Sequence, residues 1–172
     1  MVLNRLKNIK LLLLDVDGVL TDGGILYNDN GTETKVFDVK DGLGIKLLME
    51  AGIHPVIITG RRSKALFKRC KELGIDLIYD GITDKTDAFN CVLEKTGVSA
   101  EEVACMGDDL PDLAVMKRSG LSIAVADAHV SLRENADIIT SAKGGHGAVR
   151  EACEAILKAK GLWESILERF LS

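Results

Sequence analysis

The feature that most restricts the fold of this chain is a run of four leucines, residues 11–14, followed at once by Asp15, Asp17 and Gly18. An apolar run this short, bounded by acids and a glycine, cannot cross a membrane and is typical of a strand buried in a parallel sheet. Ligands of open α/β sheets bind beyond the carboxyl ends of the strands. We therefore predict that Asp15 and Asp17 lie at such a crevice, where two neighbouring carboxylates favour a bound cation.

Short apolar strands alternate with helical patterns along most of the chain. We predict further strands at 56–58, 77–79, 103–106, 121–125 and 137–139. Helices are predicted over about 63–73, 84–96 and 148–159, and another begins at Asp41 and ends at Gly52, with Leu43, Leu47 and Leu48 on one face. This alternation is typical of a doubly wound parallel sheet, and 172 residues suit one α/β domain.

Residues 24–38 interrupt the alternation. Two apolar stretches, 25–27 and 35–37, flank the segment 28–31, which ends in Asn-Gly, a strong signal for the turn of a β-hairpin. Because an isolated two-stranded ribbon is marginally stable in water, we expect this inserted hairpin to pair with something, such as other subunits. The C-terminal segment 144–172 contains a glycine-rich loop, a helix and an apolar stripe from Trp163 to Phe170. That stripe packs either on its own core or on a neighbour.

Composition excludes several classes of protein. The net charge of −4 and the lack of a lysine or arginine run argue against nucleic-acid binding. The four cysteines have no paired spacing, which favours a reducing compartment over a disulfide framework or a zinc site. Asp15 interrupts the apolar run too early for a signal peptide. We expect a cytoplasmic protein without a membrane partner.

Four predicted strand ends carry the groups that phosphoryl transfer requires. Asp15 and Asp17 follow the first strand, Thr59 the second, Lys85 comes just after the third, and Asp108 follows the fourth. Phosphoryl transfer depends on positioning and on neutralising charge around the phosphorus atom. A carboxylate nucleophile, an acid, a lysine and a cation meet these needs, and carboxylate oxygens suit Mg²⁺.

The motifs Asp-Val-Asp-Gly-Val, Ile-Thr-Gly, Lys85 and Gly-Asp-Asp-Leu-Pro-Asp, in this order, resemble the four motifs of the haloacid dehalogenase superfamily. The resemblance implies that Asp15 is the nucleophile and Asp17 the general acid and base. It implies that Thr59 and Lys85 hold the phosphoryl oxygens. It also implies that Mg²⁺ binds the carboxylates of Asp15 and Asp108 and the backbone carbonyl of Asp17.

Two further acids of the fourth motif are left with two interpretations. Asp109 and Asp112 either support the metal ligands through hydrogen bonds or are acids at the start of the next helix, without a part in catalysis.

The likeness covers nearly the whole chain and points to the capless branch of the superfamily, whose members act on phosphorylated sugar acids. It implies a homotetramer built through the hairpins, in which a neighbouring subunit covers each active site and the segment beginning at Gly144 reaches into a neighbouring site. It also implies a role in lipopolysaccharide synthesis.

Two residues bear on the identity of the substrate, Arg61 and His146. Arg61 favours an eight-carbon sugar acid, but His146 stands where this branch usually has arginine, so it is either a substrate contact or a solvated turn residue. The alternative enzymes are a phosphatase of nine-carbon sugar-acid 9-phosphates and a broad small-molecule phosphatase. A catalytically silent tetramerisation module is the alternative class, and the presence of Asp15, Asp17, Lys85 and Asp108 together favours an enzyme.

Overall fold

The computed structural model describes residues 2–171, and in this range it contains eight strands and eight α-helices. The strands are β1 (Leu11–Leu14), β2 (Leu26–Tyr27), β3 (Glu33–Thr34), β4 (His54–Ile58), β5 (Leu77–Tyr79), β6 (Val103–Gly107), β7 (Leu121–Ala124) and β8 (Ile138–Ile139). The helices are α1 (Val2–Asn8), α2 (Val39–Glu50), α3 (Lys64–Leu73), α4 (Lys85–Thr96), α5 (Leu113–Arg118), α6 (Val130–Asn135), α7 (Ala148–Ala159) and α8 (Trp163–Leu171).

Six strands form one parallel sheet in the order β5-β4-β1-β6-β7-β8. All four residues of β1 are buried, as expected for a strand with neighbours on both sides and helices on both faces. Right-handed crossovers place α2 and α3 on one face and α4 and α5 on the other. The packing agrees, because α2 contacts α3 and α7 while α4 contacts α5. The predicted parallel α/β fold is confirmed.

Local capping residues set the ends of the predicted helices α3 and α4. The Ser63 side chain accepts a hydrogen bond at the start of α3 and the Asp84 side chain does so at the start of α4, and both helices end at a left-handed glycine. Helix α2 begins earlier than predicted because the Asp38 side chain accepts from the Lys40 N–H. Of the three leucines predicted on the apolar face, Leu47 and Leu48 are buried, whereas Leu43 is 39% exposed.

Helix α1 was not predicted, because its seven residues are too few to show an apolar period. The hairpin differs from its prediction. The second arm of the hairpin is Glu33–Thr34 instead of 35–37. The turn closes at Thr32, whose carbonyl accepts from the Asn28 N–H, and strand pairing begins directly afterwards.

On the C-terminal stripe, Ile166 is buried and Phe170 is 62% exposed. Among the described residues, every helix is too short or too polar to cross a membrane.

A buried carboxylate ties α2 to the start of α7. Asp41 is 1% exposed and accepts hydrogen bonds from the backbone N–H of Arg150 at 2.8 Å and of Gly147 at 3.4 Å. Burial raises the pKa of Asp41, while these backbone bonds act in the opposite direction. Since Gly147 has no side chain to cap α7, Asp41 supplies the cap from another helix.

We expect Asp41→Ala to lower the free energy of unfolding by about 1–3 kcal/mol, because it leaves two partly buried backbone N–H groups without an acceptor. Urea unfolding measures this change. Lys46→Ala, on the exposed face of the same helix, is the control and should change stability by less than about 0.5 kcal/mol. An equally small effect of Asp41→Ala would show that the cap contributes little.

Candidate active site

The site lies where the direction of the chain through the sheet reverses. From β1 the chain continues to β4 and β5, and it then returns across β1 to β6 on the other side. The loops after β1 and β6 therefore leave in opposite directions and open a crevice at their carboxyl ends. The Asp15 N–H donates to the Met106 carbonyl at 3.2 Å, which holds the two strand ends together at this crevice.

A buried lysine bridges two carboxylates in the crevice. Nζ of Lys85, at the start of α4, lies 2.9 Å from Oδ1 of Asp15 and 2.6 Å from Oδ1 of Asp112. The other oxygen of Asp112 accepts from the backbone N–H of Asp108 at 3.1 Å. Burial alone lowers the pKa of Lys85, but the two carboxylates outweigh it and raise the pKa above its ordinary value.

Three carboxylates are grouped closely enough to hold one metal ion. Ligand oxygens of Asp15, Asp108 and Asp112 all lie within 4.8 Å of one another. Burial, and then the Asp112 charge, raise the pKa of Asp15 to about 6. Burial, and then the charges of Asp15 and Asp112, raise the pKa of Asp108 to about 7. Lys85 thus leaves carboxylate repulsion uncompensated, and a hard divalent cation with oxygen ligands, such as Mg²⁺, fits this donor set.

Glycines let the surrounding backbone approach these acids. Gly18 has φ +88°, and a Cβ atom there would lie 2.0 Å from Oδ2 of Asp108. A Cβ atom on Gly144 would lie 1.7 Å from the Gly18 carbonyl oxygen. The glycine-rich loop therefore packs against the loop that follows β1 of its own chain. That the segment beginning at Gly144 enters the active site of a neighbouring subunit stays a prediction.

The remaining predicted residues occupy different positions around the crevice. Thr59 is buried at the end of β4, and its hydroxyl oxygen accepts weakly from the Arg61 N–H at 3.4 Å. Asp109 is exposed and caps the short turn after β6 by accepting from the Leu110 N–H, so the structure separates it from the buried Asp112. His146 is exposed in its loop.

The hairpin contributes side chains that sequence reasoning missed. Lys35, whose side chain is 3% exposed, donates to Oδ1 of Asp17, and its Nζ lies 3.0 Å from Oε1 of Glu33. Arg61 Nη2 donates to Oε2 of Glu33 at 2.6 Å and to the Tyr27 hydroxyl at 3.1 Å. Glu33 and Lys35 are two residues apart and so share one face of an extended arm. This two-residue spacing is the sequence signal that could have identified the pair.

These contacts hold the hairpin against the site of its own chain, where sequence reasoning expected a partner outside it. Ile25, Leu26 and Val36 remain 49%, 56% and 67% exposed. The Asp17 carboxylate faces the hairpin and is not part of the three-carboxylate cluster. Its predicted ligand atom, the backbone carbonyl, stays a prediction, as do the roles of the other site residues.

Comparison with known proteins identifies the family of this chain. The sequence pattern of haloacid dehalogenase-like hydrolases matches residues 75–151. The chain is 49% identical over 160 residues to 3-deoxy-D-manno-octulosonate 8-phosphate phosphatase of Salmonella typhi, covering 93% of this chain and 85% of that protein. The chain belongs to the haloacid dehalogenase-like hydrolase family.

Solved structures of this haloacid dehalogenase-like family have the same fold. The 3-deoxy-D-manno-octulosonate 8-phosphate phosphatase of Yersinia pestis superposes with a TM-score of 0.94 at 48% identity, covering 95% of this chain and 88% of that one. The corresponding phosphatase of Moraxella catarrhalis was solved in complex with a magnesium ion, a phosphate ion and KDO. It has a TM-score of 0.96 at 45% identity, covering 98% and 97% of the two chains.

We expect Gly18→Ala to weaken Mg²⁺ binding by displacing Asp108, because the new Cβ atom would overlap that carboxylate. Isothermal titration with Mg²⁺ measures the affinity. Gly97→Ala is the matched control: φ there is +67° and nothing lies within 4 Å of the added atom. Both variants should lose about 1–2 kcal/mol of stability through backbone strain, and only Gly18→Ala should lose metal affinity. Equal affinity in both would contradict the role of Gly18.

Proposed function

We propose that this chain hydrolyses 3-deoxy-D-manno-octulosonate 8-phosphate to the free sugar acid and phosphate, as a step of lipopolysaccharide synthesis. Within its family the chain is a phosphatase with Mg²⁺ as cofactor. The observation that carries the proposal is the close grouping of Asp15, Lys85 and Asp108 in a chain 45% identical to a relative whose structure holds magnesium, phosphate and KDO.

The carboxylates of Asp15 and Asp108, with the backbone carbonyl of Asp17, would hold the magnesium ion. A magnesium ion bound there would neutralise negative charge on the phosphoryl oxygens. The anionic carboxylate of Asp15 could then approach an anionic phosphate. Asp112 already accepts hydrogen bonds from the Lys85 ammonium and the Asp108 N–H. It therefore holds Lys85 and Asp108 in position. The phosphoryl oxygens would be held by the Lys85 ammonium and the Thr59 hydroxyl.

Hydrolysis proceeds in two displacements at phosphorus. Asp15 attacks, and the bond from phosphorus to the sugar oxygen breaks with its electron pair on that oxygen, which takes a proton from Asp17. Water then attacks the aspartyl phosphate and gives a proton to Asp17. The bond from phosphorus to Asp15 breaks, its electron pair returns to the carboxylate, and phosphate leaves.

Recognition of the sugar acid is assigned to the mouth of the crevice. Arg61 lies there, beside Asp17, and its guanidinium suits a carboxylate or hydroxyl of the substrate. The exposed His146 is a second candidate contact. We further propose a homotetramer in which a neighbouring subunit covers this mouth, which is supported by the exposed apolar residues of the hairpin.

The proposed substrate is tested by comparing kcat/KM for eight-carbon 8-phosphates and nine-carbon 9-phosphates of sugar acids. We expect at least about a tenfold preference for the eight-carbon substrate, which corresponds to about 1.4 kcal/mol of differential transition-state binding. A reversed preference would favour the nine-carbon assignment. Absence of turnover on every phosphoester would favour the silent module.

The proposed mechanism predicts different effects for the two acids after β1. Asp15→Asn should abolish turnover because it removes the nucleophile, and Asp17→Asn should reduce kcat by about 10²–10⁴-fold. Asp76→Asn, an exposed carboxylate on the amino side of β5, is the control and should retain activity. With a chiral phosphoryl substrate the wild type should give retention of configuration. Inversion would mean that water attacks directly and that Asp15 only binds metal.

A further inference from the structure

A lysine of the hairpin has its charge buried against the proposed acid–base residue. The Lys35 side chain is 3% exposed, although lysine is rarely buried unless it is paired. Its ammonium donates to Oδ1 of Asp17 and lies 3.0 Å from Oε1 of Glu33. Holding this long side chain in place costs rotamer freedom, so its geometry calls for an explanation beyond the pairing of the hairpin strands.

Glu33 in turn connects Lys35 to Arg61, and the four side chains form a ring of alternating charge. Oε2 of Glu33 accepts from Arg61 Nη2 at 2.6 Å, and Nε of Arg61 lies 3.7 Å from Oδ2 of Asp17. The bonds from Arg61 and Lys35 lower the pKa of Glu33, and the Glu33 bond raises that of Arg61. The contacts of the ring fix Lys35 against the Asp17 carboxyl group.

We propose that Lys35 is a positioning residue that occupies Oδ1 of Asp17 and keeps Oδ2 directed at the leaving oxygen. An ammonium group carries only donors. The hydrogen that Asp17 transfers must therefore sit on the oxygen that Lys35 does not occupy. This inference rests on the proposed function, since it requires Asp17 to protonate the leaving group.

An unpaired donor beside Oδ2 supports this orientation. Within residues 2–171, Arg61 Nε is buried and has no hydrogen-bond partner, and 3.7 Å is too long for a bond to Oδ2 of Asp17. A buried donor without an acceptor is costly unless an oxygen atom from outside the chain completes it. The place next to Oδ2 is therefore suited to an oxygen of the substrate on the leaving-group side.

The experiment compares wild type with Lys35→Met on a series of substituted phenyl phosphates and on the octulosonate 8-phosphate. A good leaving group such as p-nitrophenolate departs without a proton, whereas a poor one requires it. We expect Lys35→Met to lower kcat about tenfold or more for phenyl phosphate and the sugar phosphate, and less than about threefold for p-nitrophenyl phosphate. The dependence of rate on leaving-group pKa should become steeper. Lys35→Arg should restore most of the loss.

The control is Lys46→Met, an exposed lysine on α2, which should behave like wild type on every substrate. Equal losses across the aryl series, or a change confined to KM, would overturn the proposal, because either result indicates a structural or binding role. If Lys35→Met does not fold by circular dichroism, Lys35→Gln, which keeps one donor, takes its place. A wild-type crystal structure with the Asp17 carboxyl group turned away from Lys35 would also overturn it.

The aryl phosphates contain no sugar, so the two proposals can fail separately. Turnover of aryl phosphates without turnover of the octulosonate ester would refute the proposed substrate and leave the Lys35 test intact. A wild type that hydrolyses no phosphoester would refute the phosphatase and the role of Lys35 with it.

Discussion

The Lys85 ammonium, held between two carboxylates, is the interaction on which the rest of the site depends. It joins β1, the start of α4 and the turn after β6, and each of these brings one charged group to the crevice. Removing one partner from a buried ionic group typically costs about 3–5 kcal/mol, because the remaining charge has neither water nor a counter-ion. One ammonium cannot balance the charge of three carboxylates. Burial, together with the repulsion that remains between the carboxylates, therefore raises the pKa of Asp108 to about 7. The fold thus holds an excess of negative charge that a cation relieves.

The placement of most site residues follows from the sheet and could be predicted from the sequence. Parallel strands end at one edge, so groups that follow the strands meet there whatever their separation along the chain. Asp15, Thr59, Lys85 and Asp108 were identified in this way, and their motifs indicated the family. The parallel fold and the family are confirmed, whereas the chemical roles of these residues remain predictions.

Sequence patterns could not determine which of two neighbouring acids points inward. Asp109 and Asp112 lie in one short turn, and only its exact backbone path makes Asp112 buried and Asp109 exposed. The contacts of Lys35 were missed for a related reason. Strand periodicity puts Glu33 and Lys35 on one face, but the direction in which a hairpin folds back depends on tertiary packing. Charged residues on a hairpin arm, in a chain with two acids at a strand end, are the sequence pattern that indicates such a contact.

The contact of Gly144 with the Gly18 carbonyl oxygen has a consequence for biosynthesis. Gly18 precedes Gly144 by 126 positions in the sequence, so the loop after β1 is translated well before its packing partner. Contacts between such distant segments are slow to form, and this one cannot form until residue 144 has left the ribosome. Until then a nascent chain exposes its acidic loop without its neighbour.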